Sequence, residues 1–256
     1  GMPTMALAMT DHPDRARHDL RTLRTGATIG TPEQIQRIVD LGVRNICNVY
    51  GLTEAYGNSA VTDAHDPLAR RLTCSGRGLD GVDIRIVDPV TGASSPCGAM
   101  GEIVLRGNVT PGYLNDPDRT AEAFDADGYL RTGDLGVLDE DGYLTFQGRL
   151  KELVKTGGIN VAPAEVEAVL RTHDAVEEAY VVGVPDSRLD EALAAVIVPM
   201  SDAAPDPDDL RAHCRRALAA YKTPRHFRFV SAADLPLTST GKLQKNRLGK
   251  LFKSDA

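Results

Sequence analysis

The sequence predicts an α/β remnant joined to an antiparallel β-barrel, followed by a small α+β domain. Three changes of pattern along the 256 residues indicate this organisation. A helix pattern and then a strand pattern lie within about residues 24–60, and short alternating runs fill about residues 75–148. Residues 149–256 have the order helix, strand, strand, helix, strand. We therefore expect residues 1–148 to be the end of a larger domain and residues 149–256 to form a second one.

The α/β remnant is predicted from a capped helix and the strand that follows it. Thr31 is a typical N-cap residue, Pro32 takes the first helical position, and Gly42 ends the apolar period. The β-branched run from Val43 to Gly51 then fits a strand bounded by glycine. One helix and one strand are half of an α/β unit and cannot form a parallel sheet alone, so this region is expected to continue a larger structure.

The barrel is predicted from alternating runs between Gly81 and Phe146, which are separated by glycine, proline and aspartate. Two of these separators repeat the pattern Asp-x-Asp-Gly, beginning at Asp125 and Asp139. A calcium loop requires a further ligand position and a terminal glutamate that neither repeat supplies. We interpret both repeats as Asp-Gly hairpin turns.

Composition excludes several classes of protein. An apolar fraction of 42% and a charged fraction of 25% are those of a globular protein with a substantial core. The net charge of −7 without a basic run argues against a nucleic-acid surface or a membrane-surface helix. Apolar runs are too short to span a bilayer, and no export signal is visible, so we expect a cytoplasmic protein.

A first candidate functional segment, NVYGLTEAYG, follows the predicted strand. Tyr50 could lie against a planar base, Thr53 offers a hydroxyl, and Glu54 offers a hard oxygen ligand suited to Mg²⁺. The alternative is a strand-to-loop turn with a surface glutamate. A second segment, RTGDLG, contains Asp134, which could accept hydrogen bonds from both hydroxyls of a ribose. Its alternative is an aspartate in a turn at the end of a strand.

A third segment, GRLKELVKTGG, lies at the predicted domain boundary. Arg149, Lys151 and Lys155 make it basic, while Gly157 and Gly158 could let backbone approach a ligand closely. A solvated basic hairpin with a glycine turn is the alternative interpretation.

The fourth segment, PLTSTGKLQKNRL, carries Lys242 in a loop rich in hydroxyls. It is not a Walker A phosphate loop, because Pro236 occupies a position where that motif requires glycine.

Taken together and in this order, the four segments closely resemble the adenylate-forming enzymes: acyl-CoA synthetases, nonribosomal-peptide adenylation domains and beetle luciferases. The resemblance covers nearly everything after about Arg24 and includes GATIGTPEQI, GEIVLRG and GRLKELVKTGGINVAPAEVE. It implies ATP-dependent conversion of a carboxylic acid to an acyl-adenylate, with release of pyrophosphate and transfer of the acyl group to a thiol.

The leading hypothesis is an acid-CoA ligase that uses ATP, Mg²⁺ and CoA. CoA is the expected acceptor, since no carrier-protein segment follows Ser254 in this chain. The alternatives are an adenylation domain that loads a carrier protein, and a non-catalytic remnant that binds a nucleotide or a partner.

The resemblance also implies roles for individual residues. Most of the residues that would hold the nucleotide lie in the first domain: Gly26, Ala27 and Tyr50 at the adenine, Gly51 among the nucleotide-binding residues, Thr53 at a phosphate, Asp134 on the ribose hydroxyls and Glu54 on Mg²⁺. Arg149, the first residue of the second domain, would lie close to the ribose.

The second domain would supply the remaining groups. Lys242 would contact the substrate carboxylate and the α-phosphate, where a fixed ammonium offsets the repulsion between two anions. Lys151 would be the hinge about which the small domain rotates between the two half-reactions. The face formed by Lys155, Gly157 and Gly158 would then receive the pantetheine arm.

One departure from the family is large. Its members are about twice as long, and their first half carries a Ser/Thr/Gly-rich loop that grips the β- and γ-phosphates; no such segment precedes Gly26 in this chain. Surfaces that would meet that half are expected to pair with it or with a second copy of the chain.

We therefore expect that the purified 256-residue chain forms no acyl-adenylate by itself, because the stabilisation of the departing pyrophosphate is lost. Pyrophosphate release would be measured with ATP, Mg²⁺ and a panel of carboxylic acids, against a no-acid control. Acid-dependent release from the chain alone would contradict this expectation.

Overall fold

The computed structural model describes residues 3–201, 203–238 and 243–252. The chain folds into two compact units, residues 1–146 and residues 147–256. Each unit is described by itself below. Among the described residues, no helix is both long enough and apolar enough to cross a bilayer.

The first unit begins with a four-stranded sheet of mixed direction. Strand β1 runs parallel to β2, whereas β3 and β4 follow in antiparallel pairing, giving the order β1-β2-β3-β4. The elements of this part are α1 (Pro3–Thr10), β1 (Thr25–Thr28), α2 (Pro32–Asp40), β2 (Asn45–Tyr50), β3 (Ala60–Val61), α3 (Leu68–Thr73) and β4 (Arg77–Gly78).

Helix α2 forms where the capping pattern predicts it. The Thr31 hydroxyl accepts a hydrogen bond from the backbone N–H of Gln34, and the Gln34 side chain accepts one from the N–H of Thr31, which makes a complete capping box. Ile35 and Ile38 are buried on the inner face of the helix. Strand β2 follows as expected and carries Tyr50 at its last position.

The second sheet of the first unit is antiparallel, with the order β5-β6-β7-β8. Its strands are β5 (Val82–Val87), β6 (Gly101–Gly107), β7 (Leu130–Leu138) and β8 (Leu144–Arg149), and α4 (Pro117–Ala123) precedes β7. The four strands are those predicted from the alternating runs. The sheet is an open path among the described residues, so the predicted barrel is not confirmed; a mixed α/β architecture with several sheets is what the structure supports.

Both Asp-x-Asp-Gly repeats form tight turns. The carboxylates of Asp125 and Asp139 each accept two backbone N–H bonds from the residues that follow, and both turn glycines, Gly128 and Gly142, have positive φ. The side chains of these aspartates are thus used to hold the turn, as the hairpin interpretation expects.

The second unit is built on a five-stranded sheet with the order β10-β9-β12-β11 and with β13 parallel to β12. Its elements are β9 (Val154–Thr156), β10 (Ile159–Val161), α5 (Pro163–Arg171), β11 (Val176–Asp186), β12 (Asp190–Pro199), α6 (Pro207–Ala217), β13 (His226–Phe229) and α7 (Lys245–Leu248). From α5 to β13 the order is the one that the sequence predicts. The short hairpin β9–β10 is the hairpin with a glycine turn that the sequence left open as the alternative interpretation of this segment.

Candidate active site

Tyr50 and Asp134 meet in the first unit although 84 positions separate them in the chain. The Tyr50 hydroxyl donates to Oδ2 of Asp134 over 3.0 Å, and only 6% of Tyr50 and 3% of Asp134 remain exposed. An ionised carboxylate in such a buried place requires hydrogen-bond donors. The bond joins the end of β2 to β7 and so brings two of the candidate residues from the sequence together.

An irregularity in β7 directs Asp134 into this position. Arg131 pairs with Val104 and Leu135 pairs with Glu102, so three residues of β7 stand opposite Ile103 alone. The Thr132 hydroxyl donates to the carbonyl of Ile103 over 2.6 Å and accepts the N–H of Asp134 over 3.1 Å. Extra residues of this kind bend a strand and re-aim its side chains. The TGD sequence therefore encodes a local backbone geometry.

A buried ion pair supports the same irregularity and is absent from the sequence-based candidates. Glu102 is 2% exposed; its Oε2 accepts from Arg131 Nη2 over 2.6 Å, and its Oε1 accepts the N–H of Gly133 over 3.1 Å. Gly133 has a φ of +67°, which disfavours other residues. The hydrogen bond to Glu102 is the main cause that raises the pKa of Arg131. In the sequence, Glu102 could have been noticed because a charged residue there directly precedes the apolar run Ile103–Leu105 of β6.

Phe146 is a second residue that the sequence did not single out. Its ring stacks on that of Tyr50, with centroids 6.2 Å apart and an angle of 26° between the planes, and 42% of Phe146 is exposed. The two aromatic rings come from different sheets of the first unit, so no local pattern connects them. Because only 6% of Tyr50 is exposed, Phe146 supplies the accessible ring of this pair.

The loop after β2 is folded tightly against itself. A Cβ on Gly51 would come within 1.6 Å of the carbonyl oxygen of Gly57, so only glycine fits. Thr53 and Glu54 lie in the 3₁₀ turn Thr53–Ala55, where Thr53 is exposed and Glu54 is partly buried. The glycine at position 51 thus has a packing reason that is independent of any ligand.

Glu54 is held by Tyr113, another residue that the sequence did not predict. The Tyr113 hydroxyl donates to Oε1 of Glu54 over 2.9 Å. Burial and, secondly, the hydrogen bond to Glu54 raise the pKa of Tyr113, so this phenol keeps its proton at neutral pH. No cluster of three His, Cys, Asp or Glu side chains suited to a metal occurs among the described residues. A single oriented carboxylate nevertheless fits Mg²⁺ that is bound together with a nucleotide, since phosphates and water supply the other ligands.

Gly26 and Ala27 lie on β1, beside β2. Gly26 pairs with Ile46 and Ala27 pairs with Cys47 in parallel register. A Cβ on Gly26 would meet only Ile46 Cδ1, at an ordinary 3.5 Å. Both residues thus belong to the sheet that carries Tyr50.

In the second unit, Gly157 and Gly158 form the turn of the hairpin β9–β10. Their φ values are +57° and +79°, as a two-residue turn between antiparallel strands requires. Lys155 is exposed, and its backbone N–H donates to Oε2 of Glu191 over 2.8 Å. The glycines are explained by the turn itself, and their predicted role towards pantetheine is a separate question.

The other predicted residues are placed as follows. Arg149 ends β8, and Lys151 is exposed in the 3₁₀ turn Leu150–Glu152 that follows. Lys242, predicted to act on the substrate carboxylate and the α-phosphate, lies outside the described residues.

The buried pair of Glu102 and Arg131 leads to a stability prediction. Arg131→Met leaves the Glu102 carboxylate without its cation and should lower the free energy of unfolding by about 2 kcal/mol, a value reduced for the partial exposure of Arg131. Arg106→Met is the matched control, because Arg106 pairs with the half-exposed Asp83 on the same sheet and should cost under about 1 kcal/mol. Urea denaturation of both variants measures the difference. Equal losses would show that Glu102 does not need Arg131.

Comparison with known proteins matches both parts of the chain to family models. Residues 1–114 match the model described as AMP-binding enzyme, and residues 165–242 match the AMP-binding enzyme C-terminal domain. Together these two ranges take in most of the chain.

Relatives and solved structures agree with these matches. The chain is 41% identical over 253 residues to a putative acyl-CoA synthetase, YngI, of Bacillus subtilis, covering 97% of this chain and 46% of that protein. It is 36% identical to the amide bond synthetase McbA from Marinactinospora thermotolerans, with a TM-score of 0.88, covering 98% of this chain and 52% of that one. It is 32% identical to ATP-bound MatB from Rhodopseudomonas palustris, with a TM-score of 0.87, covering 99% of this chain and 50% of that one.

The chain thus spans about half the length of the curated relatives that it matches. Two family models in the expected order, relatives that are acyl-CoA synthetases, and the fold itself agree with the four sequence segments. The chain belongs to the AMP-binding, adenylate-forming enzyme family.

Proposed function

We propose that this chain is part of an ATP-dependent, AMP-forming acid-CoA ligase. In the first half-reaction a carboxylate oxygen of the acid attacks the α-phosphorus of ATP, and the bond to pyrophosphate breaks. In the second, the sulfur of CoA attacks the acyl carbon, AMP leaves, and the thiol proton is lost. The observation that carries the proposal is the buried hydrogen bond between Tyr50 and Asp134, because it puts an aromatic ring and a carboxylate side by side at the end of a parallel strand pair.

Asp134 is the residue proposed to bind the ribose. A carboxylate oxygen can accept more than one hydrogen bond, so the bond from Tyr50 is compatible with two further bonds from the 2′- and 3′-hydroxyls. Hydrogen bonds to an ionised acceptor are the stronger kind. The ATP-bound state of the MatB structure, whose fold this chain shares, supports a nucleotide as the ligand.

The adenine is proposed to lie beside Tyr50 and Phe146, whose stacked rings suit a planar base. Gly26, Ala27 and Gly51 would border the base, Thr53 would contact a phosphate, and Arg149 would act near the ribose. Gly51 keeps the loop after β2 close to Gly57 and so fixes where Thr53 lies.

Glu54 is the residue that would hold Mg²⁺, with Tyr113 fixing the direction of its carboxylate. The metal would neutralise charge on the phosphates. Glu54 itself would supply one hard oxygen ligand, as its donor chemistry allows.

The second unit is proposed to supply the groups that differ between half-reactions. Lys242 would bind the substrate carboxylate and the α-phosphate, Lys151 would be the hinge, and the hairpin turn with Lys155, Gly157 and Gly158 would face the pantetheine arm of CoA. The exposed position of Lys155 and Lys151 is consistent with these roles.

The acyl acceptor in the second half-reaction, here proposed to be CoA, has a specific alternative. An amide bond synthetase is among the solved structures that resemble this chain, and it shares 36% of its residues over the matched region. An amine could therefore replace the thiol in the second half-reaction. A carrier-protein pantetheine is the other alternative thiol. We favour CoA because the curated relatives include acyl-CoA synthetases and CoA ligases.

The ribose role of Asp134 is tested with AMP and 2′,3′-dideoxy-AMP, compared by calorimetry. The unmodified chain should prefer AMP by roughly 10- to 100-fold, the range expected for hydrogen bonds to a charged acceptor. Asp134→Asn should reduce this preference to near unity, because a neutral amide that also carries donors accepts more weakly from the hydroxyls.

Asp83→Asn is the matched control, since Asp83 also accepts a hydrogen bond from a tyrosine hydroxyl, that of Tyr129, within the same unit. It should keep the preference for AMP. A preference that survives Asp134→Asn, or that the unmodified chain lacks, would contradict the proposed ribose role.

A further inference from the structure

Lys245 bridges two carboxylates in the second unit. Its ammonium lies 2.7 Å from Oε1 of Glu167 on α5 and 3.3 Å from Oε2 of Glu152 in the 3₁₀ turn Leu150–Glu152. The side chain of Lys245 is 23% exposed, and that of Glu167 is 6% exposed. Lysine at this depth is uncommon unless it is paired, and here one cation serves two anions.

Glu167 is the fixed end of this arrangement. Its Oε1 also accepts the backbone N–H of Val181 on β11 over 2.8 Å, and Arg171 lies 3.6 Å from its Oε2. Glu167 is therefore tied to the sheet and to its own helix independently of Lys245. Removal of Lys245 would leave Glu167 with an N–H donor and a guanidinium, so the unit should still fold.

The two described residues immediately before Lys245 pair with residues 236 and 237. The N–H of Gln244 donates to the carbonyl of Pro236 over 2.8 Å, and its side-chain amide donates to the carbonyl of Leu237 over 2.8 Å. Leu237 and Leu243 also form an antiparallel bridge. Pro236 and Leu237 therefore lie beside Leu243 and Gln244, and Lys245 follows as the first residue of α7.

We propose that Lys245 is a positioning residue: through Glu167 it holds the paired residues Pro236–Leu237 and Leu243–Gln244, and the turn Leu150–Glu152, in one fixed relation. In the sequence Lys242 directly precedes Leu243, and Lys151 lies in the turn, so the importance of this relation for catalysis rests on the proposed function. The ionic bridge itself does not depend on that function.

Lys222 and Glu165 form a second lysine–glutamate pair on α5, which serves as a control for the pair of Lys245 and Glu167. Lys222 Nζ lies 2.6 and 2.7 Å from the two carboxylate oxygens of Glu165, and Glu165 is also on α5. The side-chain exposure of Lys222, 22%, is close to that of Lys245. Among the ion pairs of the described residues, Lys222 contacts neither of the two segments that Lys245 is proposed to position. Its removal therefore measures the effect of losing a lysine–glutamate pair on α5 alone.

The test is residue-resolved hydrogen exchange of the 256-residue chain carrying Lys245→Met, Lys245→Arg or Lys222→Met. Two amides report on the segments: that of Gln244, bonded to Pro236, and that of Leu153, bonded to Leu150. In Lys245→Met both should exchange about tenfold faster, because the ionic contacts that tie the start of α7, next to Gln244, to Glu167 and to Glu152 in the turn are lost. Lys245→Arg should restore most of the protection, since the guanidinium keeps the charge.

Lys222→Met should leave both amides unchanged while its midpoint of urea unfolding falls about as much as that of Lys245→Met. Unchanged exchange in Lys245→Met, or equal acceleration in Lys222→Met, would overturn the proposal. No catalytic activity is needed for this measurement, so its failure is distinct from a failure of the proposed ligase function, which the comparison of AMP with 2′,3′-dideoxy-AMP tests separately.

Discussion

The buried hydrogen bond from Tyr50 to Asp134 connects the two sheets of the first unit at the place where ligand chemistry is proposed. A carboxylate with 3% exposure is stable only if donors surround it, and the tyrosine hydroxyl is one that the fold provides. Tyr50 can reach it because β2 ends there and because the chain turns away at once through Gly51. The constraint explains why a tyrosine, a glycine and an aspartate from distant parts of the sequence occur together.

Buried glutamates paired with a cation recur in both units. Glu102 pairs with Arg131 at the irregularity of β7, and Glu167 pairs with Lys245, which is proposed to position two segments of the second unit. Such pairs contribute little net stability compared with apolar residues of similar size, but loss of one partner is costly. In the first unit Glu102 bonds the backbone N–H of Gly133, next to the candidate residue Asp134. We interpret the two glutamates as positional elements.

Local patterns in the sequence predicted the elements whose causes are local. The capping box of Thr31 and Gln34 and the Asp-Gly turns depend on residues within a few positions of each other, and they form as expected. Asp134 was found because the TGD segment matches a family motif. The partners Glu102 and Phe146 were missed, because their contacts with β7 and Tyr50 arise only when strands pair.

Two further expectations show the limits of sequence patterns. Gly157 and Gly158 were interpreted either as room for a ligand or as the turn of a hairpin; their positive φ values fit the turn, and the ligand role stays a prediction. Alternating runs predicted the strands β5 to β8 correctly but carried no information on closure, and the barrel is not confirmed. The predicted roles of Lys151, Lys155 and Lys242 remain predictions.

The measurement that tests the central claim most directly is the set of intermolecular nuclear Overhauser effects between AMP and the isotope-labelled chain. We predict contacts from the ribose protons to the Asp134 side chain and from the adenine protons to the rings of Tyr50 and Phe146. Bound AMP whose protons contact other residues, and neither Asp134 nor Tyr50, would contradict the proposed site.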